Sequence, residues 1–487
     1  MIRPTIEAAQ KLSEGCSIIP ISLEIFSDLK TPIEILKNLR SQSDSWYILE
    51  SVNGGNSWGR YTFLGYNPVL SICGTGDEIT VKNGSAETTS NTSAVEALKD
   101  IISEYISPRI SYLPPFTGGF VGYLSYDFVQ NFIPGLKLNA KNTEGFQDFH
   151  LMMIDKVIAF DHLKQKIHLI VNIKTDALET NYAAGITELK NMEEMIFDPG
   201  MSHVMADTSQ CGSFVPSFTK DAFVKKVERV KRHITEGDIF QAVVSNRLKA
   251  PFKGDLLNTY RILRTTNPSP YMVYMKLADM EIACASPETL VSLQNGTVSS
   301  FPLAGTCPRG GTAEEDEALI NDLLQNEKEL AEHDMLVDLA RSDIGKVCRF
   351  GSVGVREYRQ IKHFSHVSHI GSRVSGELRE DMTAVDVIAA AFPAGTLSGA
   401  PKKRACEIID EAEALKRGPY GGAIGYIDFA GNMDMCIGIR MAVLKDGNVF
   451  VQSGAGIVAD SVPENEYQET LNKSRAIVDA LKHSGGV

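Results

Sequence analysis

The sequence predicts an α+β fold with largely antiparallel sheets. Short β-like runs lie between glycine turns in the first part of the chain, and capped amphipathic helices lie in the second. The two element types mix without the strict strand–helix–strand alternation that builds a parallel sheet.

In chain order, the runs 47–50, 61–64, 157–160 and 167–171 are expected strands, with Gly54-Gly55 and Asn83-Gly84 as punctuation. A helix is expected over 177–195. Residues 198–217, DPGMSHVMADTSQCGSFVPS, are rich in Gly, Ser and Pro without periodicity and are expected to be a linker. It separates an N-terminal portion, 1–197, from a second portion, 218–487. Phe223, Val227, Val230 and Ile234 follow the 4-3-4 rhythm of an amphipathic helix that Gly237 can end. A buried strand over 239–245 follows. Thr312 and Glu315 predict a capping box opening one long helix that runs without Gly or Pro to Gly345. Ser461 and Glu464 predict a second box, with Pro463 in the first turn of the last helix. No internal repeat is present.

Composition narrows the function. The 487 residues carry 48 Lys and Arg against 61 Asp and Glu, a net charge of −13. An acidic chain without a basic stretch is a poor partner for nucleic acid or an anionic membrane. The N-terminus has no hydrophobic signal core, and no apolar run reaches the roughly 20 residues of a membrane helix, so the expected place is the cytoplasm. The eight cysteines form no CxxC pair, which fits reduced thiols and not a disulfide or zinc framework.

Glu329 and Glu332, and again Glu466 and Glu469, stand three apart on predicted helices. That spacing puts each pair on one helix face. A Glu-x-x-Glu is usually a solvated face, but two such faces can hold a hard divalent cation such as Mg²⁺. Residues 301–310, FPLAGTCPRG, read as a rigid turn whose N–H groups can face an anion. Residues 453–460, SGAGIVAD, imitate a dinucleotide loop, but no helix opens directly after it and no further strand follows, so a glycine loop against a carboxylate is the better reading. His363, His366 and His369 are spaced by three on a strand-like run, where one acid–base histidine is more plausible than three ligands. Residues 267–272, NPSPYM, fix an irregular extended backbone.

Together these blocks resemble the chorismate-utilising enzymes. In order they are GDIFQAVVSNR (237–247), SPE (286–288), PLAGT (302–306), EHDMLVDLARSD (332–343), HIGSRVSGEL (369–378), FPAGTLSGAPK (392–402), GPYGGAIGYID (418–428), GIR (438–440), GAGIV (454–458) and ENEYQETLNK (464–473). ILES (48–51), WGRYTFLG (58–65) and GGFVGYLSYD (118–127) extend the resemblance into the regulatory portion. The resemblance implies a large two-subdomain fold of mostly antiparallel sheets flanked by helices, the active site in a cleft between them.

Two positions separate the family's branches. Water-adding members carry a lysine where Gln241 stands, and Gln241 has no basic nitrogen to activate water. The branch forming aminodeoxychorismate usually has a nucleophilic lysine where Ala304 stands. Gln241 with Ala304 resembles the large-subunit branch that aminates chorismate at C2 with ammonia, loses the C4 hydroxyl and eliminates pyruvate to give anthranilate. The alternatives are the aminodeoxychorismate branch and a non-catalytic tryptophan-sensing homologue.

The resemblance also implies roles. Glu332 and Glu469 are the expected Mg²⁺ ligands, with Glu329 and Glu466 behind them. Glu288 is the expected acid for the departing hydroxyl, and His369 the base for the C2 proton, with Gln241 and Thr306 beside them. Tyr420, Arg440, Lys473 and the backbone of Gly305, Thr306, Gly454, Ala455 and Gly456 are expected at the substrate. Feedback inhibition by L-tryptophan is expected between Leu49, Glu50 and Ser51 on one side and Asn267, Pro268, Pro270, Tyr271 and Met272 on the other, with Glu50 accepting from the amino group. No amidotransferase nucleophile is present, so glutamine use needs a separate amidotransferase subunit, implying two large and two small subunits. Two positions depart from the family pattern. Ser342 stands where Asn is usual, and Cys307, standing where Arg is common, removes a cation near the anion loop.

Overall fold

The computed structural model describes residues 2–51, 57–198, 209–363 and 367–486. Gly54-Gly55, His366 and residues 199–208, half of the expected linker, lie outside them. The chain folds as two stacked, predominantly antiparallel sheets with helices on both outer faces. The first sheet runs Ile2–Arg3, Ile18–Phe26, Lys166–Lys174, Lys156–Asp161, Tyr61–Tyr66, Trp46–Glu50, Tyr271–Leu277, Met280–Ser286, Met441–Lys445, Asn448–Ile457, Gln241–Lys253 and Gln210–Cys211. The second runs Leu303–Pro308, Val367–Glu377, Thr297–Ser300, Thr289–Gln294, Met433–Ile437, Ala423–Asp428, Gly119–Leu124, Phe149–Ile154, Leu70–Thr75, Glu78–Asn83 and Ala86–Asn91. Strands from both portions of the chain therefore share each sheet. The described end of residues 198–217 is not a free tether, because Gln210–Cys211 and Val215–Pro216 both pair with Gln241–Lys253.

The four strands read from the sequence are present, each within a few residues of its expected ends. Their continuous apolar runs follow from burial on both faces. In Trp46–Glu50, Trp46 and Ile48 pack under the outer helices, whereas Tyr47 and Leu49 pack between the sheets. Side chains of a strand alternate between faces, so a strand with two dry faces shows no polar alternation. The helices expected over 177–195 and around Phe223 are Leu178–Phe197 and Lys220–Thr235. No helix is long and apolar enough to cross a membrane.

Three local expectations fail. The long helix after Thr312 is two helices, Ala313–Gln325 and Glu327–Gly345. Asn326 leaves helical geometry, and its side-chain oxygen accepts from the N–H groups of Lys328 and Glu329. An Asn offers the backbone that alternative without any Gly or Pro. The Ser461 box does not form. Val462 is the N-cap of Pro463–His483 without a side-chain bond, and the Ser461 hydroxyl accepts from the Val458 N–H instead. Finally, residues 301–310 and 453–460 are not loops: Leu303–Pro308 and Asn448–Ile457 are strands.

A buried ion pair ties the layers together at one end of the sheets. Arg417 is 2% exposed and Glu413 4%. The guanidinium donates to both Glu413 carboxylate oxygens, to the Leu397 carbonyl and to the Val243 carbonyl, at 2.6–2.8 Å. It also lies 4.3 Å from the Tyr126 ring centroid. Glu413 in turn accepts from the N–H and hydroxyl of Ser245. Burial works against the Arg417 charge, and the Glu413 carboxylate together with the Tyr126 and Tyr420 phenols more than offsets it. Removing one partner strands the other charge in a dry interior, at about 3–5 kcal/mol. Arg417→Met is therefore expected to lower stability by about 3–5 kcal/mol, read as the urea midpoint of fluorescence unfolding. Arg417→Met/Glu413→Leu is expected to recover part of the loss.

Candidate active site

The elements around this ion pair bring several of the expected site residues near one another. Glu288 follows the strand Met280–Ser286, and its carboxylate accepts from the Thr396 hydroxyl at 3.0 Å. Burial pushes its pKa up to about 7, against the hydrogen bond from Thr396 and the charge of Lys473. Thr396 lies in the turn Gly395–Leu397, whose Leu397 carbonyl is held by Arg417. Neither Thr396 nor Arg417 is singled out by the sequence. The block FPAGTLSGAPK was the available signal for Thr396, but the spacing alone does not say which residue turns inward.

His369 lies on Val367–Glu377, paired in register with Thr306. Its Nδ1 is 3.1 Å from the Gly305 carbonyl and 2.9 Å from the Thr306 hydroxyl. A proton on Nδ1 donated to that carbonyl makes Nε2 the basic nitrogen. Burial pulls the histidine pKa down, the Gly305 carbonyl opposes that, and Arg440 adds to it. Gly305 sits at a register shift with φ +68°, and a Cβ there would stand 3.4 Å from the Glu329 carboxylate. The acidic helix thus lies directly over this bulge. Thr306 is exposed there, Ala304 is buried, and Cys307 is buried against Leu323 and Ile370. Ser342 is exposed on the acidic helix.

Strand geometry sorts the glycine segment. Ser245 pairs with Gly454, yet the Ser245 N–H goes to Glu413. Val243 pairs with Gly456, yet the Val243 N–H goes to the Ser398 carbonyl. Both are therefore non-hydrogen-bonded pairs, so Gly454 and Gly456 aim their N–H and C=O groups away from that neighbour. On that side Met441–Lys445 pairs no further than Val451. The N–H groups of Gly454 and Gly456 thus face the cleft, while Ala455, on the alternate register, is turned to the sheet; the expected Ala455 contact is corrected on this ground. A Cβ at 454 would stand 3.0 Å from the Tyr420 hydroxyl, and one at 456 would meet nothing within 4 Å. Gln241 opens the same strand, opposite Ala400.

Arg440 is half-buried in left-handed geometry, φ +51°, a conformation a non-glycine side chain adopts at a cost. Among the described residues no carboxylate pairs with it. Buried Tyr420 lies close enough for the two to perturb each other, and burial pushes the phenol pKa up.

Lys473 stands at the centre. Its ammonium donates to the Gly454 carbonyl at 3.1 Å and pairs with Glu469 at 2.7 Å. Its charge also acts on Glu288, Glu332 and Glu466. Glu332 is exposed as a residue, while its carboxyl end is partly desolvated. Desolvation, then the neighbouring Glu329 and Glu469, push its carboxyl up. Burial likewise raises Glu466, opposed by a hydrogen bond with Ser461 and reinforced by Glu469. The two acidic helices face one another within electrostatic reach, but no three of these carboxylates gather ligand atoms within 4.8 Å. Among the described residues only His233, Glu236 and Asp238 do so. Asp238 there is already held by His233 and Arg404. Oxygen donors alone suit a hard divalent cation.

The expected inhibitor segments are adjacent strands, Met272 opposite Glu50 and Val273 opposite Leu49. They line one end of a cavity of about 1200 Å³ between the sheets, with Leu49, Ser51, Pro270 and Tyr271. The Ser51 hydroxyl is buried there without a partner among the described residues. The Glu50 carboxylate is not available to an amino group: it points to the outer helix and is held by Tyr260 and by both sides of the Arg264 fork. Asn267 ends the helix Leu257–Thr266, and neither it nor Pro268 lines the cavity.

Residues 48–479 match the model of the chorismate binding enzyme family. The chain is 43% identical to anthranilate synthase component 1 of Acetivibrio thermocellus over the whole of both chains. It is 41% identical to that of Aquifex aeolicus (strain VF5), covering 98% of this chain and 97% of the relative. The crystal structure of anthranilate synthase component I from Streptococcus pneumoniae TIGR4 superposes with a TM-score of 0.77 at 38% identity, covering 93% of this chain and 98% of that one. The fold alone is shared with MenF, the menaquinone-specific isochorismate synthase of Escherichia coli, at 15% identity, a TM-score of 0.72 and 98% coverage of each chain.

Because the Thr396 hydroxyl stabilises the charged form of Glu288, Thr396→Val is expected to move the Glu288 pKa further up. The check is an infrared titration of the carboxyl, taken as the difference from Glu288→Gln.

Proposed function

The chain belongs to the chorismate-binding enzyme family, among the proteins named anthranilate synthase component 1, and from that premise we propose how its residues convert chorismate to anthranilate. The observation that carries the reading is the convergence on Lys473 of the raised acid Glu288, the acidic helix, the C-terminal helix and the glycine strand.

Glu332 and Glu469 would hold one Mg²⁺, with Glu329 and Glu466 orienting them. When bound, the cation would neutralise the ring carboxylate and draw electron density toward it. Arg440 supplies a fork for a second carboxylate. The N–H groups of Gly454 and Gly456 and the ammonium of Lys473 add donors, so an acidic protein keeps a cationic floor for a dianionic substrate. Ammonia attacks C2, and Glu288, protonated by virtue of its raised pKa, gives its proton to the C4 hydroxyl as it leaves as water. His369, neutral and held through Nδ1, takes the C2 proton from its other nitrogen. The enolpyruvyl C–O bond breaks, enolpyruvate takes a proton to become pyruvate, and the ring becomes aromatic. Gln241 contributes by what it lacks, since it cannot make hydroxide from water in ammonia's place.

The designation component 1 implies a partner component. We take that partner to be a glutamine amidotransferase that delivers ammonia, in a complex of two large and two small subunits. Leu49, Ser51, Pro270, Tyr271 and Met272 are taken as the tryptophan site. The orphaned Ser51 hydroxyl supports a polar ligand group at that end of the cavity. With Glu50 engaged by Arg264, recognition of the amino group falls to Ser51 and backbone carbonyls.

The purified chain with chorismate, Mg²⁺ and ammonium is expected to form fluorescent anthranilate, and tryptophan to suppress it; a non-aromatic amino product would instead favour the aminodeoxychorismate reaction. Glu329→Gln is expected to cost about 10–100-fold in metal affinity and Glu332→Gln more, read as the Mg²⁺ dependence of the rate. Glu288 works as an acid only below its pKa. The kcat/KM profile is therefore expected to fall about tenfold per pH unit above about 7, and Glu288→Gln to abolish that limb. Ser51→Phe is expected to remove tryptophan inhibition while leaving turnover; inhibition that survives would show the site to be misplaced.

A further inference from the structure

The two halves of the helix Glu327–Gly345 are seated differently. In the second half Val337, Ala340 and Ile344 lie in the main core. The first half, which carries Glu329 and Glu332, offers a half-buried Leu330 to a small cluster of Cys307, Leu323 and Ile370. Apolar contact is non-directional, so this seat sets the rotation of the first half only loosely.

One polar side chain enters the packing there. His333 is fully buried. Its Nε2 lies 2.6 Å from the Ser372 hydroxyl, and its Nδ1 is buried without a partner among the described residues. Ser372 is buried too, and follows His369 on the strand Val367–Glu377. The hydrogen bond thus ties the helix of the glutamates to the strand of the histidine base.

The edge strand Gly354–His363 reinforces the same contact. Its register with Val367–Glu377 shifts between Glu357 and Gln360, and Arg359 has no partner in that register. Arg359 sits in the bulge with φ +51°, a conformation that a non-glycine residue adopts at a cost. The bulge serves one helical turn twice. The Arg359 N–H donates to the Ser372 hydroxyl at 3.0 Å. The Arg359 guanidinium donates to both Asp334 carboxylate oxygens, at 2.6 and 3.2 Å, and the Tyr358 hydroxyl donates to Asp334 at 2.7 Å.

Successive residues of a helix point about 100° apart. Glu332, His333 and Asp334 therefore fan out: Asp334 to the edge strand, His333 into the sheet, and Glu332 toward Glu469 and Lys473, whose charges act on it. Glu329, one turn before His333, shares its face and lies over Gly305. Holding His333 and Asp334 fixes where the two glutamates point.

We propose that His333 is a positioning residue. Through Ser372 it sets the rotation of the first half of the acidic helix, and so aims Glu329 and Glu332 at the metal position. The metal rests on the reading given above; the rotation does not.

The test uses the full chain as Ser372→Ala, as His333→Leu, as the double variant, and as His333→Gln, whose side-chain amide reaches the place of Nε2. Mn²⁺ affinity is read by electron paramagnetic resonance, with chorismate and without ammonium. Ser372→Ala and His333→Leu are each expected to weaken it about 10–100-fold, the double variant no more than the worse single, and His333→Gln to stay within about threefold of the unmodified chain. A residue that only stabilised the fold would lower the urea midpoint and leave Mn²⁺ affinity alone. That result, losses that add in the double variant, or His333→Gln as weak as His333→Leu would each overturn the proposal. If His333→Leu is recovered unfolded, Ser372→Ala and His333→Gln decide on the same terms. Crystal structures of the metal-free chain and of Ser372→Ala give a reading without metal. The first half of the helix, measured at the Glu332 Cα, is expected to move by more than about 0.5 Å, the tolerance of a productive site; superposable helices overturn the proposal. If the unmodified chain binds no Mn²⁺, the metal reading falls and this comparison alone decides the rotation. If it binds Mn²⁺ and the variants keep both its affinity and its helix, the rotation falls and the metal reading stands.

Discussion

The cleft depends on one buried ion pair. Arg417 holds the Leu397 carbonyl, the Val243 carbonyl and Glu413 at once, and Glu413 takes up the N–H of Ser245. Each of those contacts fixes something at the surface of the cleft. Leu397 positions the turn that presents Thr396 to Glu288. Diverting the N–H of Ser245 is one of the two bonds that turn Gly454 and Gly456 outward. The pair is expensive to desolvate, and its worth lies in the geometry it adds where Gln241–Lys253 already pairs with Gly399–Ala400.

Above that floor the electrostatics are arranged as opposites. Lys473, Arg440 and outward N–H groups make the floor cationic, while two helices bring four glutamates to its rim. Desolvation first, then repulsion from Glu329 and Glu469, raises the Glu332 pKa, while Lys473 pairs with Glu469. Glu288 answers to the same field with the opposite need. It must stay dry enough to hold its proton, so it sits deeper, accepting from Thr396 and within reach of the charge of Lys473.

The strands buried on both faces were legible because dry faces leave unbroken apolar runs. Each acidic pair was legible as one face of its own helix because spacing fixes that, whereas the meeting of the two helices was not. What stayed hidden was decided by competition between local options. Asn326 chose to cap the backbone and broke a helix that no Gly or Pro marked. Ser461 bonded to Val458 and not to the helix it precedes. The glycines at 454–456 serve a strand edge, because the partner N–H groups are claimed by Glu413 and Ser398. Glu50 was captured by an arginine 214 positions away. The first two are choices among local partners that spacing leaves equal; the last two turn on tertiary partners, of which spacing carries no record.

The account stands or falls on whether the two acidic helices serve one cation. Manganese binding, counted by electron paramagnetic resonance in the presence of substrate, tests this directly through Glu332→Gln, Glu469→Gln and the double variant. A shared site predicts one tight manganese per chain, lost in either single variant, with the double variant no worse than the singles. Two manganese ions per chain, or losses in the single variants that add in the double, would mean that each helix binds separately and would contradict it.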